Sequence, residues 1–306
     1  MQRTLKNAVS FEGPGLHSGV PVSLRICPAP ANSGIWFRRT DIVDGDPRIH
    51  ALWSNVTQSR LCTLITNDHG VSVSTVEHVM AALAGCGVHN ALIEVDGPEL
   101  PILDGSAAPF VSAMLAAGLV EQDAPIQVVE VLKPVEVSDG EAWARLEPTN
   151  GFEIEFRIEF DVAAIGVQEK VLNMANGAFV RELCDSRTFC RMSDVTSMRN
   201  AGLAQGGTLA NALVFEGEEI LTPGGARHDD EPVRHKMLDA LGDLALAGAP
   251  LQARMTAHRG GHALTNRLLH ALFDDASAYR IREVDEATAQ KLPGVGVHQD
   301  DIPAVA

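Results

Sequence analysis

One helical segment constrains the fold of this chain more than any other. His235, Asp239 and Asp243 follow one another at intervals of four residues, which stacks their side chains on one face of a helix. The residues around them are strongly apolar, so we expect a largely buried helix: Met237, Leu238, Leu241, Leu244 and Leu246. Carboxylates that are buried need an ionic partner or a metal.

Two interpretations of this segment remain open. In the first, the three side chains form a solvated polar stripe or a buried ion pair. In the second, His235 and Asp239 are metal ligands, and Asp243 lies behind them or takes part in catalysis.

Composition and charge limit the classes of function. The chain has 306 residues, of which 45% are hydrophobic, and a formal net charge of −16 at pH 7. A balance this acidic argues against binding to nucleic acid or to an anionic membrane, although a few local cations could still bind an anionic substrate. No segment reaches the roughly 18 apolar residues of a membrane helix, so we expect no stable membrane insertion.

The cysteines and the first residues predict the cellular compartment. None of the five cysteines forms a CxxC pair, and the first seven residues contain no apolar signal segment. These features predict reduced thiols in a cytoplasmic protein. We expect that protein to be a monomer.

Each half of the chain shows the same order of elements, namely strands, a helix, a strand and a second helix. The predicted helices cover 75–84, 107–117, 232–247 and 262–273. This order indicates an α+β protein with two domains of similar plan. The segment Glu121–Pro125 is polar and contains proline, which predicts a domain boundary. The two predicted domains are 1–123 and 124–306.

Two further expectations concern the second domain. Ile126–Val137 alternates apolar and polar residues and predicts a strand. The residues after about 285 are polar and contain glycine and proline, so we expect a loosely ordered tail.

The first half contains a helix start with two possible meanings, Ser74–Leu83. Ser74 and Glu77 match an S-x-x-E capping box, so Glu77 could simply cap its own helix and His78 could be a core histidine. Together with His235 and Asp239, however, His78 would complete three ligands. A catalytic zinc site uses that number and leaves a position for water, for which Glu77 could be the general base.

A glycine pair precedes a further histidine at Arg259–Asn266. Gly260 and Gly261 would let the backbone come close to a ligand, and His262 then begins a helix. The motif is weak by itself. Asp243 could keep the imidazole of His262 charged, and a cationic histidine could stabilise an oxyanion or protonate a leaving amine.

Several long motifs of the chain occur together, in one order, in a known family. They are Gly15–Gly19, Pro28–Gly34, Thr75–Leu83, Leu100–Phe110, Ser186–Phe189, Arg234–Asp243 and Gly261–Asn266. This set resembles the zinc-dependent UDP-3-O-acyl-N-acetylglucosamine deacetylases of lipid A biosynthesis. The likeness covers about residues 3–275, which is nearly the whole chain.

The resemblance implies an active site between two domains, each with a pair of helices packed against β-sheet. It implies that Zn²⁺ is held by His78, His235 and Asp239, although Fe²⁺ could also occupy such a site. Glu77 is then the general base for hydrolysis of the N-acetyl group of UDP-3-O-(3-hydroxyacyl)-N-acetylglucosamine, which releases acetate.

The resemblance also implies roles for four other polar residues. His262, supported by Asp243, would be the cationic partner that stabilises the oxyanion or acts as general acid. The hydroxyl of Thr188 would help to hold the oxyanion. Lys236 would lie near the diphosphate of the substrate.

An inserted βαβ unit in the second domain, around 165–210, would form an apolar passage for the acyl chain. Phe189 and Met192 are candidate lining residues, and both could equally be ordinary core residues. The sequence departs from relatives at Val162–Ala164 and at Cys190–Met192. The uridine contacts and the preferred acyl length therefore stay open, and for Arg191 a surface position is favoured over a phosphate contact.

Two other functions remain as alternatives. The same ligands could serve a zinc hydrolase that acts on a different amide or ester. A metal-stabilised scaffold would need a closed site with a fourth protein ligand. No fourth candidate at ligand spacing is visible in the sequence, which favours catalysis.

Overall fold

The structure is a computed structural model that describes residues 1–304. Its first half contains one five-stranded sheet, one small three-stranded sheet and two helices. In chain order the elements are β1 (Arg3–Leu5), β2 (Val9–Pro14), β3 (Pro21–Pro28), β4 (Ile35–Arg39), β5 (Arg48–His50), β6 (Val56–Thr57), β7 (Leu64–Thr66), β8 (Ser72–Ser74), α1 (Glu77–Cys86), β9 (Ala91–Val95), α2 (Ala108–Ala117) and β10 (Leu119–Glu121).

The second half is built around a seven-stranded sheet, with a small three-stranded sheet beside it. Its elements are β11 (Gln127–Val131), β12 (Val135–Asp139), β13 (Ala142–Glu147), β14 (Phe152–Glu159), β15 (Val167–Asn173), α3 (Ala178–Glu182), β16 (Phe189–Arg191), α4 (Met192–Asn200), β17 (Leu213–Glu216), β18 (Glu219–Ile220), α5 (Glu231–Leu244), β19 (Leu251–His258), α6 (His262–Phe273), β20 (Tyr279–Glu283) and α7 (Glu286–Ala289).

Alternating apolar residues turn one face of each large sheet toward the core. In the five-stranded sheet, with order β2-β3-β9-β4-β5, strand β3 buries Val22, Leu24 and Ile26 and exposes the residues between them. In the seven-stranded sheet, β14 lies between β15 and β19 and buries every second residue in the same way. Such alternation is expected for strands with one buried face.

Helices α1 and α5 pack against each other, which explains why nearly all residues of both helices are buried. Gly242 makes this close approach possible. A methyl group at Gly242 would lie 2.0 Å from the backbone oxygen of Glu77. The beginning of α1 therefore lies directly against α5, and one continuous hydrophobic core includes residues from both halves.

The predicted α+β class is confirmed, and each predicted helix is present within a few residues of its expected position. The predicted strand Ile126–Val137 is in fact two strands, β11 and β12, separated at 132–134. Pro134 lacks the N–H that a continuous ladder would need.

The expectation of a loosely ordered tail is wrong for the described residues. Leu292 is 2% exposed, and the carbonyl of Gly294 accepts a hydrogen bond from Arg3 Nη2 at 2.8 Å. A few apolar residues within this polar segment are enough to hold it on the body of the protein.

A βαβ unit is present at 189–216, where α4 connects the parallel strands β16 and β17. This position is later than the predicted range 165–210. Residues 167–173 form β15, which pairs with β14 in a hairpin of the main sheet. The alternating pattern of β15 belongs to that hairpin, and no local pattern in the sequence distinguishes a strand of the hairpin from a strand of the βαβ unit.

Within residues 1–304, no sheet combines strands from both sides of residue 123. The division into domains 1–123 and 124–306 is compatible with this arrangement and stays a prediction. None of the helices in the described part of the chain has both the length and the hydropathy needed to cross a bilayer.

The close contact of α1 and α5 generates a first prediction. We expect Gly242→Ala to lower the free energy of unfolding by about 1–3 kcal/mol, because the new methyl group forces the two helices apart. Chemical denaturation measures this change. Gly261→Ala is the matched control, since no atom lies within 4 Å of the methyl group that it would add. A Gly242→Ala protein as stable as the parent would contradict this description of the helix contact.

Candidate metal centre

Two helices bring three candidate ligands to one point. His78 lies in the first turn of α1, and His235 and Asp239 lie one turn apart on α5. All three side chains are buried, and their ligand atoms lie within 4.8 Å of one another. Asp239 Oδ1 is 3.6 Å from His78 Nε2 and 3.4 Å from His235 Nε2. Among residues 1–304, it is the one group of at least three His, Cys, Asp or Glu side chains whose ligand atoms lie this close together.

The hydrogen bonds of this group fit a bound cation. His235 Nδ1 lies 3.0 Å from the carbonyl oxygen of Ser186, so Nδ1 carries the proton and Nε2 presents its lone pair. Burial lowers the pKa of His235, and it lowers the pKa of His78 to about 3, so both rings are neutral. Asp239 Oδ1 is buried and accepts no hydrogen bond. Three acceptor atoms, two imidazole nitrogens and Asp239 Oδ1, therefore face one another, as ligands do around a divalent metal. A set of two nitrogens and one oxygen is suitable for zinc.

Lys236 keeps Asp239 ionised. Its Nζ donates to Asp239 Oδ2 at 2.7 Å, which leaves Oδ1 for the metal. Burial alone would raise the pKa of Asp239, but the cationic Lys236 and His262 outweigh it and hold that pKa well below its usual range. Burial would likewise lower the pKa of Lys236, and the attraction of Asp239 raises it.

Glu77 is a buried carboxylate beside this group. Burial raises its pKa to about 7, Asp239 adds to the shift, and His262 opposes it. Glu77 Oε2 accepts a hydrogen bond from the backbone N–H of Thr63 at 3.0 Å, and Oε1 lies 3.7 Å from His262 Nε2.

The capping-box interpretation of Glu77 is wrong. The N-cap residue of α1 is Val76, without a side-chain cap, and the hydroxyl of Ser74 donates to the carbonyl of Pro98. Glu77 instead uses its carboxylate inside the site.

His262, the first residue of α6, pairs with Asp243 near the end of α5. His262 Nδ1 lies 2.8 Å from Asp243 Oδ2. Burial alone would lower the pKa of His262, but the carboxylates of Asp243, Glu77 and Asp239 outweigh it and raise the pKa to about 9. The imidazole is therefore a cation at neutral pH, with its Nε2–H on the side of Glu77 and Asp239.

A strained turn holds the beginning of α1. Thr75 has a φ of 59°, a conformation that costs a β-branched residue of order 1–3 kcal/mol. Its hydroxyl donates to Glu99 Oε1 at 3.1 Å, and the same buried carboxylate accepts the backbone N–H groups of His17 and Ser18, each at 2.7 Å. Glu99 thus fixes the loop that leads into Glu77 and His78.

A cavity of about 760 Å³ opens at this site between the two halves of the chain. Every predicted site residue lines it except Asp243, which lies behind His262. The lining residues among the predictions are Glu77, His78, Thr188, Phe189, Met192, His235, Lys236, Asp239 and His262. Away from the ligands the wall is largely apolar and comes from the βαβ unit, with Val195, Met198, Leu209 and Val214.

The guanidinium of Arg191 binds two carboxylates at the rim of this cavity. Asp161 Oδ1 lies 2.9 Å from one of its nitrogens and Asp194 Oδ2 lies 2.7 Å from another. Arg191 thus joins the end of β14 to α4, and its charge is already compensated by protein groups.

Sequence reasoning missed Thr63 and Glu99. Neither residue belongs to a helical spacing pattern with the groups that it contacts. Thr63 binds Asp243 across 180 positions in the chain, and Glu99 acts on backbone N–H groups that carry no side-chain signature. The conformation of the intervening chain decides such contacts.

Comparison with known proteins identifies the family. A model of the UDP-3-O-acyl N-acetylglycosamine deacetylase family matches residues 2–274. The chain belongs to this deacetylase family.

Curated relatives agree with this assignment. The UDP-3-O-acyl-N-acetylglucosamine deacetylase of Shewanella frigidimarina (strain NCIMB 400) is 43% identical over 303 residues, which cover 97% of this chain and 99% of the relative. The protein of the same name from Shewanella baltica (strain OS155 / ATCC BAA-1091) is 43% identical over 302 residues, covering 97% and 98%. The likeness to the deacetylase family thus extends over nearly the full length of both proteins.

The geometry predicts which substitutions remove the metal. We expect His235→Ala to lower the metal content of purified protein to a small fraction of the parent value, because it deletes one of three ligands. Elemental analysis by mass spectrometry measures this. His69→Ala, at an exposed loop position, is the matched control and should keep the parent content. Unchanged metal in His235→Ala would exclude His235 as a ligand.

Proposed function

We propose that this chain hydrolyses the N-acetyl group of a UDP-linked, 3-O-acylated N-acetylglucosamine in lipid A biosynthesis and releases acetate. The observation that carries the proposal is a single cavity that combines a buried His78–His235–Asp239 donor set with Glu77, a cationic His262 and an apolar extension. The names of the relatives agree with this substrate. The free state of all five cysteines supports a cytoplasmic location, and a monomer stays our prediction.

We propose that His78, His235 and Asp239 hold Zn²⁺. A zinc ion held there would polarise a carbonyl oxygen and lower the pKa of a water molecule to about 7. The neutral histidines and the unpaired Asp239 Oδ1 support this ligand set. The remaining steps depend on side chains that line the same cavity.

Glu77 has the properties of a general base near neutral pH. A buried carboxyl with a pKa near 7 is ionised in part, and its conjugate acid still gives up the proton later. Because Thr63 occupies Oε2, the free oxygen Oε1 is the one that takes the proton from water. Glu77 then returns this proton to the departing amine.

His262 and Thr188 are proposed to stabilise the negative charge that develops on the carbonyl oxygen. The imidazolium of His262 is preorganised by Asp243, so it needs no reorientation as the charge forms. The hydroxyl of Thr188 lines the cavity on the side of the βαβ unit. A protonated His262 could also supply the proton for the leaving amine.

Lys236 and the apolar wall are proposed to bind the two ends of the substrate. Lys236 has three N–H donors and uses one on Asp239, so another can bind a diphosphate oxygen. Phe189 and Met192 line the cavity where the βαβ unit covers it, and the acyl chain would lie against them.

Removal of the general base should affect rate and not metal. We expect Glu77→Ala to keep the parent zinc content and to lower kcat by about 10²-fold or more, because it deletes the proposed general base and none of the proposed ligands. Glu77→Gln, which keeps the shape of the side chain, should be similarly slow. Glu94→Gln, on strand β9 outside the cavity lining, is the control with parent activity. Near-normal turnover in Glu77→Ala would exclude this role.

The requirement for the acyl chain tests the proposed substrate against another amide or ester. We expect kcat/KM for acetate release to fall by about 10²-fold or more when the 3-O-acyl group is absent, because burial of each methylene contributes about 0.8 kcal/mol. Acetate release from the acylated and unacylated UDP-sugars measures the difference. Equal efficiency on both would favour a zinc hydrolase of different specificity.

A further inference from the structure

We propose that Thr63 is a positioning residue. By binding one oxygen of Glu77 and one of Asp243, it orients both carboxylates and so aligns the general base with the cationic histidine. This inference rests on the proposed function of the site. Thr63 is 3% exposed, does not line the cavity, and matches no motif in the sequence. It acts through its neighbours and does not touch the substrate.

The backbone of Thr63 binds the beginning of α1. Its N–H donates to Glu77 Oε2 at 3.0 Å, and its carbonyl oxygen accepts the N–H of Val76 at 3.4 Å. With one carboxylate oxygen held from behind, the plane of the carboxylate is set and Oε1 faces the cavity and His262. The orientation of the base therefore depends on where Thr63 lies.

The side chain of Thr63 fixes the position of its own backbone relative to the second half of the chain. The hydroxyl donates to Asp243 Oδ1 at 2.6 Å, a short hydrogen bond typical of an ionised acceptor. Asp243 Oδ2 is then the oxygen that contacts His262 Nδ1 at 2.8 Å. The hydroxyl thus selects which oxygen of Asp243 orients the imidazole.

These contacts close a ring. It runs from Thr63 to Glu77, across 3.7 Å to His262 Nε2, from His262 Nδ1 to Asp243, and back to the hydroxyl of Thr63. The bond between Thr63 and Asp243 is the one contact in the ring that joins Thr63 to helix α5. Its loss would free Asp243 to rotate and would let the Thr63 loop move with Glu77.

The alternative is that Thr63 merely satisfies a buried carboxylate and contributes only to stability. The two roles differ in what they change. A positioning role lowers kcat while KM and metal content stay constant, because the ligands and the substrate-binding wall do not involve Thr63. A purely structural role lowers the amount of folded protein and leaves kcat per metal site constant.

The test uses three variants of the full-length zinc protein. Thr63→Val replaces the hydroxyl by a methyl group of the same shape and keeps both backbone contacts. Thr63→Ser keeps the hydroxyl. Thr66→Val, on the adjoining strand β7 and outside the cavity lining, is the matched control. Rates are steady-state acetate release per bound zinc, measured with the 3-O-acylated UDP-sugar.

We expect Thr63→Val to lower kcat by about 10- to 100-fold, the range for residues that orient catalytic groups from behind, with KM within about threefold of the parent. Thr63→Ser and Thr66→Val should stay within about threefold of the parent. In an Asp243→Ala background, Thr63→Val should cause little further loss, because the hydroxyl acts through Asp243.

Several outcomes would overturn the inference while the proposed function stands. They are a Thr63→Val enzyme with parent kcat, a Thr63→Ser enzyme as slow as Thr63→Val, or losses that multiply in the Asp243→Ala background. A parent protein that releases no acetate would instead overturn the proposed function. In that case thermal unfolding tests the hydrogen bond between Thr63 and Asp243. If Thr63→Val changed Tm by the same amount in the parent and in the Asp243→Ala background, the inference would also be overturned.

Discussion

The structure depends on how three carboxylates are kept at the centre of one hydrophobic core. Glu77, Asp239 and Asp243 are all at most 5% exposed, and an isolated buried carboxylate is costly. Lys236 and the imidazolium of His262 compensate part of this charge, and the histidine ligands cannot, because burial keeps them neutral. Under the proposed function, a divalent ion held by His78, His235 and Asp239 would supply further positive charge at this point. The buried charges that must be compensated for the fold to be stable are therefore the same groups that the proposed reaction uses.

The close contact between α1 and α5 brings these charged groups together. Because Gly242 has no side chain, the first turn of α1 lies against the last turn of α5. Glu77 and His78 then reach the groups that α5 presents at intervals of four residues. Thr75 and Glu99 hold the approach to α1 in a strained turn, and Thr63 connects it to Asp243. The site is thus built from elements far apart in sequence.

The sequence predicted those parts of the site that follow a local repeat. The spacing of His235, Asp239 and Asp243 predicted one helix face, and α5 carries all three residues. The α+β class followed from the order of strands and helices. Parts that depend on long-range contact were not predictable in this way. They include the contacts of the Glu77 carboxylate, which the S-x-x-E pattern described as a cap, the position of the βαβ unit, and the packed tail at Leu292.

The resemblance to a known family supported a set of ligands that no spacing rule could establish. The number of ligands in a catalytic zinc site had already suggested His78 on α1 as a partner of His235 and Asp239 on α5. The structure places these three side chains together, and the family assignment is independent of that geometry.

The most direct test of this account is acetate release from UDP-3-O-(3-hydroxyacyl)-N-acetylglucosamine by the protein as isolated, after metal removal by a chelator, and after addition of zinc. We expect turnover that disappears when the metal is removed and returns with about one zinc ion per chain. Full turnover in the metal-free protein, or none in the zinc-loaded protein, would contradict a zinc-dependent deacetylase.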